Sequence, residues 1–363
     1  MSERQHQDRT LRVVQWGTGN VGRHALVGID ARPDLELVGL WVSNPDKVGH
    51  DAGRLAGLDR DLGVLATNDV DEIIALAPDC VVNCAMADDR LFEAIADLER
   101  LLAAGINVVS SGPVFLQFPS GAAAGMAEGV EKAAADGGVS LFVNGIDPGF
   151  ANDWLPLSLT SISERIDQVR CSEVLNYNTY DQKMIVFDTM GFGLPMDHVP
   201  MLLQPGILSL AWGSVVHQIA AGLGVELDDV EEFYERLPAT ESFDIDCGRI
   251  EEGTVAGLHF EVRGMVGGKA VVVLEHVTRV HDDIGPDWPQ PAGLGCYRVE
   301  VRGEPNYTLD LQLLGTDGDH NTAGLKATAM RLVNSVPAVV AAEPGLVTAL
   351  DLPLVTGKGL VVR

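Results

Sequence analysis

Leu11-Arg12-Val13-Val14-Gln15-Trp16 is a short apolar run, and Gly17-Thr18-Gly19-Asn20-Val21-Gly22 follows it without a break. Val21, Ala25, Leu26 and Ile29 then fall on one helical face. A G-x-G-x-x-G spacing carries weight when it joins a strand to a helix near the start of an alternating chain, and that is its setting here. Gly17 permits a tight turn, Gly19 lets a pyrophosphate approach the backbone, and Gly22 lets helix and strand pack closely. The helix N-terminus then offers free N–H groups and a partial positive charge to phosphates. The stretch predicts a dinucleotide site built from Gly17, Thr18, Gly19, Asn20, Val21 and Gly22; the competing reading is an ordinary glycine-rich turn.

The alternation continues outward from this stretch. Leu35 to Val42 reads as a second buried strand, and Ala66 to Glu72 as the start of a short helix. Cys80 to Cys84 reads as a strand, Asp88 to Ala103 as a helix with Leu91, Ile95, Leu98 and Leu102 on one stripe, and Gly105 to Ser110 as a strand. Gly121 to Gly137 is a small-residue helix and Ser140 to Asn144 a further strand. This β-α-β-α rhythm predicts a doubly wound parallel sheet covered on both faces over residues 1–150.

The rhythm changes at Asp147-Pro148-Gly149. A helix is expected from Asp153 to Ser161, a strand from Ile166 to Asn176, and a helix from Pro205 to Leu223. His259 to Met265 and Ala270 to Val280 read as a hairpin through Gly267-Gly268, and Tyr297 to Arg302 and Tyr307 to Leu314 as another through residues 303–306. Residues 151–320 thus predict an α+β domain with a mainly antiparallel sheet. Residues 321–363 predict a helix, with Pro337 inside it, and a tail packing back towards the first domain.

At 363 residues the chain is long enough for two cores. Its 52 acidic against 25 basic residues give a net charge of −27, which argues against nucleic acid and anionic membrane surfaces as partners. The same charge means that a bound phosphate must be held by local devices. Cys80 and Cys84, four apart in a strand, would sit ~13 Å apart and cannot pair. The five scattered cysteines read as buried thiols, and no metal-ligand spacing is present, so no metal is expected. Met1 to Thr10 lacks an apolar signal-peptide core, and no run reaches membrane-spanning length, so a cytoplasmic protein is expected.

A site that prefers NAD ordinarily ends its second strand with an acid for the ribose 2′-OH. Here the strand ends Trp41-Val42-Ser43-Asn44-Pro45-Asp46-Lys47, with Asp46 several residues late. Ser43, Asn44 and Lys47 can donate to a 2′-phosphate, which an acid would repel, so NADP is favoured over NAD. Cys84-Ala85-Met86 and Ser110-Ser111-Gly112 follow the C-terminal ends of two further strands and are expected to face the cofactor.

Several of these segments, with Asn144-Gly145-Ile146-Asp147-Pro148-Gly149-Phe150, Leu155-Pro156-Leu157, Ala342-Glu343-Pro344-Gly345 and Asp351-Leu352-Pro353, together resemble the dihydrodipicolinate-reductase-like superfamily. Within it the chain resembles the branch of 2,4-diaminopentanoate dehydrogenase and the native amine dehydrogenases. The resemblance implies a Rossmann domain, a sheet-rich second domain, a nicotinamide cofactor in the cleft between them, and a homodimer. Two departures bear on chemistry. The His-His pair, lysine and Asp-Ala-Pro-Ser-Gly-Thr stretch of dihydrodipicolinate reductase are absent, which argues against that activity. The amine dehydrogenases carry a glutamate shortly after the stretch resembling Asn107 to Ser111, and Val114 or Phe115 stands in its place here. An apolar side chain can neither act as a base nor balance an iminium.

The expected activity is therefore hydride transfer by NAD(P)H to a small, fairly apolar carbonyl or imine. One rival is an amine dehydrogenase that uses a different acid; another is a dinucleotide-binding sensor without turnover. For the proton donor, Tyr180 and Lys183 at i, i+3 would let the ammonium lower the phenol pKa, against a plain polar loop as the alternative. His198 stands in a candidate lid loop. Glu173 shares a strand face with Cys171 and is the candidate substitute acid, against a surface position.

Overall fold

The computed structural model describes residues 9–87 and 90–361. The polar lead before Arg9, and Asp88 and Asp89 at the expected start of a helix, lie outside the described residues. The chain divides into two compact units: Met1–Ile146 with Leu325–Arg363, and Asp147–Gly324.

In the first unit β1 (Leu11–Trp16) is buried along nearly its whole length, as a strand covered on both faces must be. α1 (Asn20–Asp30) turns Gly22, Ala25, Leu26, Gly28 and Ile29 inward. β2 (Leu35–Trp41) pairs parallel with β1. A short helix, α2 (Ala52–Leu55), is capped by the Asp51 carboxylate, which also accepts from the backbone N–H groups of Leu62 and Gly63. Ala66 and Thr67, expected to begin a helix, form the edge strand β3 instead, and α3 (Val70–Ala75) starts after the Asp69 cap. There follow β4 (Cys80–Asn83), α4 (Leu91–Ala103), β5 (Asn107–Ser110), α5 (Ala122–Gly137) and β6 (Ser140–Val143).

The second unit contains α6 (Trp154–Thr160), β7 (Arg165–Asn176), a π-helical turn over Met184–Thr189, and α7 (Ile207–Gly222). It continues with β8 (Asp229–Pro238), the small ribbon β9 (Phe243–Ile245) and β10 (Gly248–Ile250), β11 (Val255–Val266), β12 (Lys269–Arg279), β13 (Gly295–Glu304) and β14 (Tyr307–Leu311). The expected hairpins are β11–β12 and β13–β14. The main sheet runs β14-β13-β7-β12-β11-β8, antiparallel throughout except for the parallel pair β7–β12. α7 lies on one face and sets its own Val215 and Val216 into the core of this unit with Phe260, Val262 and Leu274 of the sheet.

The helix α8 (His320–Val340), with Pro337 inside it, leads to β15 (Gly345–Val347), which extends the first sheet beside β6. That sheet reads β15-β6-β5-β4-β1-β2-β3, all parallel. Its order reverses at β1, so the carboxyl end of β1 is the switch point where an open α/β sheet leaves a crevice. All five cysteines are buried and unpaired. Among the described residues no helix is long and apolar enough to cross a membrane.

Candidate functional site

The glycine loop sits at the β1 switch point, and each glycine has a distinct physical duty. Gly17 has φ +91°, and a Cβ there would press on the Ala85 backbone nitrogen at 3.1 Å. A Cβ on Gly22 would fall 2.2 Å from the Gly17 carbonyl oxygen, so this contact of α1 with the loop requires glycine. Gly19 differs from both: it is exposed, it caps α1 without a side-chain bond, and a Cβ there would meet nothing within 4 Å. The open position lies against the free N–H groups of an 11-residue helix, which is what a pyrophosphate needs. The residues present therefore fit a dinucleotide.

The neighbouring strand ends complete this edge. Gly17 N–H donates to the Trp41 carbonyl, Cys84 N–H to Trp16, Ser111 N–H to Asn83 and Asn144 N–H to Ser110, tying the carboxyl ends of β2, β1, β4, β5 and β6 together. Trp16 and Trp41 stack at 4.1 Å, and the buried Trp41 Nε1 has no hydrogen-bond partner. Asn83 Oδ1 accepts from Ala85 N–H, which shapes the turn Cys84-Ala85-Met86. Ser110 is wholly buried and bonds within its own turn to Gly112. Burial pushes the Cys84 thiol up to about 12, so it stays protonated and inert. After β2, Asn44 Oδ1 caps the turn Pro45–Lys47, and Ser43 is exposed. Lys47 Nζ donates to Thr18 Oγ1 at 2.9 Å and to the Thr18 carbonyl at 3.3 Å, which moors an ammonium beside the glycine loop.

In the second unit a charged cluster is buried on the α7 face of the sheet. Glu173 on β7, expected either in a cleft or on the surface, is 4% exposed. Register places it beside His276 on β12 and opposite Tyr297 on β13. Tyr177 Oη donates to Glu173 Oε1 at 2.8 Å, a charge-assisted bond worth about 1.5–3 kcal/mol. His276 Nδ1 lies 3.5 Å from the same oxygen, and His276 Nε2 lies 3.3 Å from Asp147 Oδ1. Asp147 Oδ1 also accepts from Asn152 Nδ2 at 2.6 Å and from Trp212 Nε1 at 3.1 Å. Burial works to lower the His276 pKa, but Asp147 and Glu173 outweigh it and push it up to about 10. Burial, then the carboxylate charge of Glu173, pushes the Tyr177 and Tyr297 phenols well up, so both stay protonated donors at neutral pH.

Around Glu173 the chain thus assembles Tyr177, His276, Asp147 and Tyr297. Tyr180 stacks on Tyr177 at 4.6 Å and reaches the cluster as a ring. Lys183 is exposed, and its charge acts on the Cys247 thiol. His198 is exposed, and its carbonyl accepts from Arg236. Val114 and Phe115 lie in a turn that buries Phe115 and supplies no acid. His276 was not singled out from the sequence. The available signal was an ionisable pair, Glu275-His276, in the middle of the apolar strand Ala270 to Val280.

The opposite face of the same sheet carries a second cluster, His259, Glu261 and Glu275, with ligand atoms within 4.8 Å of one another. The Arg170 guanidinium already supplies its cation, at 2.6 Å from Glu261 and 2.8 Å from Glu275. That cluster is an ion-pair network.

Residues 150–359 match the family described as the 2,4-diaminopentanoate dehydrogenase C-terminal domain. An amine dehydrogenase of Streptomyces virginiae is 43% identical over 97% of this chain and 99% of its own length. The 2,4-diaminopentanoate dehydrogenase of Acetoanaerobium sticklandii is 25% identical over 95% of this chain and 94% of its own. The solved amine dehydrogenase of Mycobacterium smegmatis superposes with a TM-score of 0.79 at 22% identity, covering 98% of this chain and 99% of that one, and so shares the fold. With a cradle shaped for a nicotinamide dinucleotide and a match across its second unit, the chain belongs to the 2,4-diaminopentanoate dehydrogenase family and is an NAD(P)-dependent oxidoreductase.

Proposed function

We propose that the chain is an NADP-preferring amine dehydrogenase, interconverting a small, fairly apolar carbonyl compound plus ammonia with the corresponding amine through an imine. The observation that carries this is the buried Glu173 carboxylate, bonded to Tyr177 and paired with His276. Amine chemistry needs an anion to balance the iminium and to move protons, and the turn at Val114 and Phe115 offers none. Glu173 is the different acid that resolves this. The relative that is 43% identical and carries the name amine dehydrogenase supports the same reading.

The dinucleotide supplies or accepts the hydride. Gly17, Thr18, Gly19, Asn20, Val21 and Gly22 would hold its pyrophosphate, with Cys84, Ala85, Met86, Ser110, Ser111 and Gly112 lining the same sheet edge. Lys47, moored on Thr18, with Ser43 and Asn44 beside it, suits a 2′-phosphate. In the amine-forming direction Glu173 would take a proton from bound ammonium, freeing ammonia to attack the carbonyl carbon, and would return that proton to the carbinolamine hydroxyl, which leaves as water; the restored carboxylate would then stand as counter-ion to the iminium. The assay is NADPH oxidation against a panel of ketones and aldehydes with and without ammonium. Turnover that requires ammonium is expected; turnover equally fast without it would make the chain a carbonyl reductase.

A further inference from the structure

We propose that His276 is a positioning residue: a buried imidazole clamped between Asp147 and Glu173 that fixes the Glu173 carboxylate and supplies its counter-charge. The proposal rests on the reading of Glu173 as the acid of an amine dehydrogenase. The clamp is built from several elements of one unit. The Phe260 ring on β11 stacks flat on the imidazole at 4.6 Å and 6°, and the Trp212 indole on α7 meets it edge-on at 4.7 Å. The ring therefore has one orientation, which sets Nδ1 towards Glu173 and Nε2 towards Asp147. At 3.5 and 3.3 Å these are ion pairs rather than well-aligned hydrogen bonds, and Nε2 has no hydrogen-bond partner.

The charged groups acting on the imidazole are Glu173 from β7 and Asp147 from the segment before α6, and the Tyr297 phenol on β13 lies opposite Glu173 and feels both carboxylates. Asp147 and Asp153 also act on the buried Cys171 thiol, on the same sheet face. Arg170, the cation on the neighbouring part of β7, is engaged with Glu261 and Glu275. The imidazolium is then the positive charge between two carboxylates, and the trio keeps one excess negative charge. An iminium or ammonium substrate brings the one positive charge that balances it. Without the imidazolium, Glu173 and Asp147 would be two buried carboxylates that have lost the cation standing between them.

Two measurements test this. The first is the pH profile of kcat and kcat/KM, in ammonium-dependent reduction, for the full-length enzyme and its His276→Gln variant. Loss of the imidazolium is expected to move the acid limb of the profile upward by about one pH unit or more. At pH 7 kcat is expected to fall by about tenfold or more and to recover partly at pH 9. Since the single variant leaves two buried acids together, the double variant Asp147→Asn with His276→Gln restores the net charge of the trio and is expected to bring the limb part of the way back. An unmoved limb in a folded His276→Gln protein overturns the proposal.

The second measurement does not need turnover. ¹⁵N-histidine NMR resolves the nine histidines, and the signal missing from His276→Gln is that of His276. It is expected to remain imidazolium up to pH 8 or above, and to titrate at lower pH in Glu173→Gln. A neutral ring at pH 7 overturns the clamp. If the native enzyme shows no ammonium-dependent turnover while the NMR result holds, the proposed function fails and the clamp stands.

Discussion

Two glycines three residues apart should respond oppositely to the same substitution. An alanine at Gly22 would put its Cβ 2.2 Å from the Gly17 oxygen and 2.8 Å from the Gly17 carbonyl carbon, both backbone atoms of the loop itself. Neither can move alone, because Gln15 Nε2 donates to that oxygen at 2.9 Å and Gly17 N–H donates to Trp41. α1 must therefore shift, at a cost of about 1–3 kcal/mol. An alanine at Gly19 meets nothing within 4 Å and finds φ −73°, a conformation open to any residue. Its effect on the ligand-free protein should stay within about 0.5 kcal/mol, since the entropy gained and the poorer cap nearly cancel. Dinucleotide binding should reverse the ranking of harm at Gly19. At a hundredfold excess over Kd the ligand stabilises the native protein by about 2.7 kcal/mol, a rise of ~3–4 °C in Tm for a chain of this length. A Cβ in the phosphate's place should raise Kd by tenfold or more and remove much of that rise. The assay is a pair of melts, with and without NADPH, for the native protein, Gly19→Ala and Gly22→Ala. Gly19→Ala should melt normally without ligand and gain little from it, whereas Gly22→Ala should melt early under both conditions. A Gly19→Ala protein that gains the full native shift would refute the reasoning.

Further expectations follow from the other residues. Lys47→Ala should raise the Kd for NADPH by about tenfold while leaving NADH within about twofold, read by fluorescence titration of each. Glu173→Gln should lower ammonium-dependent kcat by about 10²-fold or more and keep the native melting shift with NADPH; unchanged kcat would remove Glu173 from the chemistry. Burial works to raise the Glu275 pKa, but His259, Ser172 and Arg170 hold it at about 2. Its folded pKa lies below its ordinary value, so its contribution is complete above about pH 4.5 and is lost as pH falls towards 2. That contribution is on the order of 3 kcal/mol, and urea midpoints at pH 5.5 and 3 should differ less in Ser172→Ala than in the native protein.

The first unit was legible because its signals are local. The glycine loop, the apolar runs at β1, β4, β5 and β6, and the stripe on α4 are each contained in one short segment. The hairpins β11–β12 and β13–β14 were legible from their turns, Gly267-Gly268 and residues 303–306. Among the strands that escaped, two did so because their surroundings contradict their composition. β8 alternates acids with Phe233 and Tyr234 on an exposed sheet edge, so its sequence Asp229–Pro238 lacks a buried face. β3 is two residues long and is a strand only because Leu40 and Trp41 pair with it. The site around Glu173 was half legible. A carboxylate on β7 was visible, but its partners Asp147 and His276 are distant in sequence, and only the register of β7 with β12 sets His276 beside it. The tyrosine bonded to Glu173 is Tyr177, four residues along, whereas i, i+3 spacing had pointed to Tyr180 and Lys183.

The two faces of the second sheet explain why one charged cluster is assigned chemistry and the other is not. On one face Glu261 and Glu275 are answered by Arg170 and Arg263, with His259 bonded to Glu275 and Glu235. That arrangement balances itself, and burial of its members is repaid by direct bonds. On the other face the His276 imidazolium stands between the two carboxylates of Asp147 and Glu173, packed against Phe260 and Trp212, so that the trio itself carries one excess negative charge. Buried ion triads of this kind are often less stable than apolar residues of similar volume, by about 1–4 kcal/mol. A fold selected only for stability would fill the space with hydrocarbon. The triple variant Asp147→Asn, Glu173→Gln, His276→Met should accordingly unfold at a denaturant midpoint equal to or above the native one, keep its NADPH-dependent rise in Tm, and lose ammonium-dependent turnover. A triple variant that unfolds well below the native protein would make the cluster a structural element, and the search for the acid would have to move elsewhere in the chain.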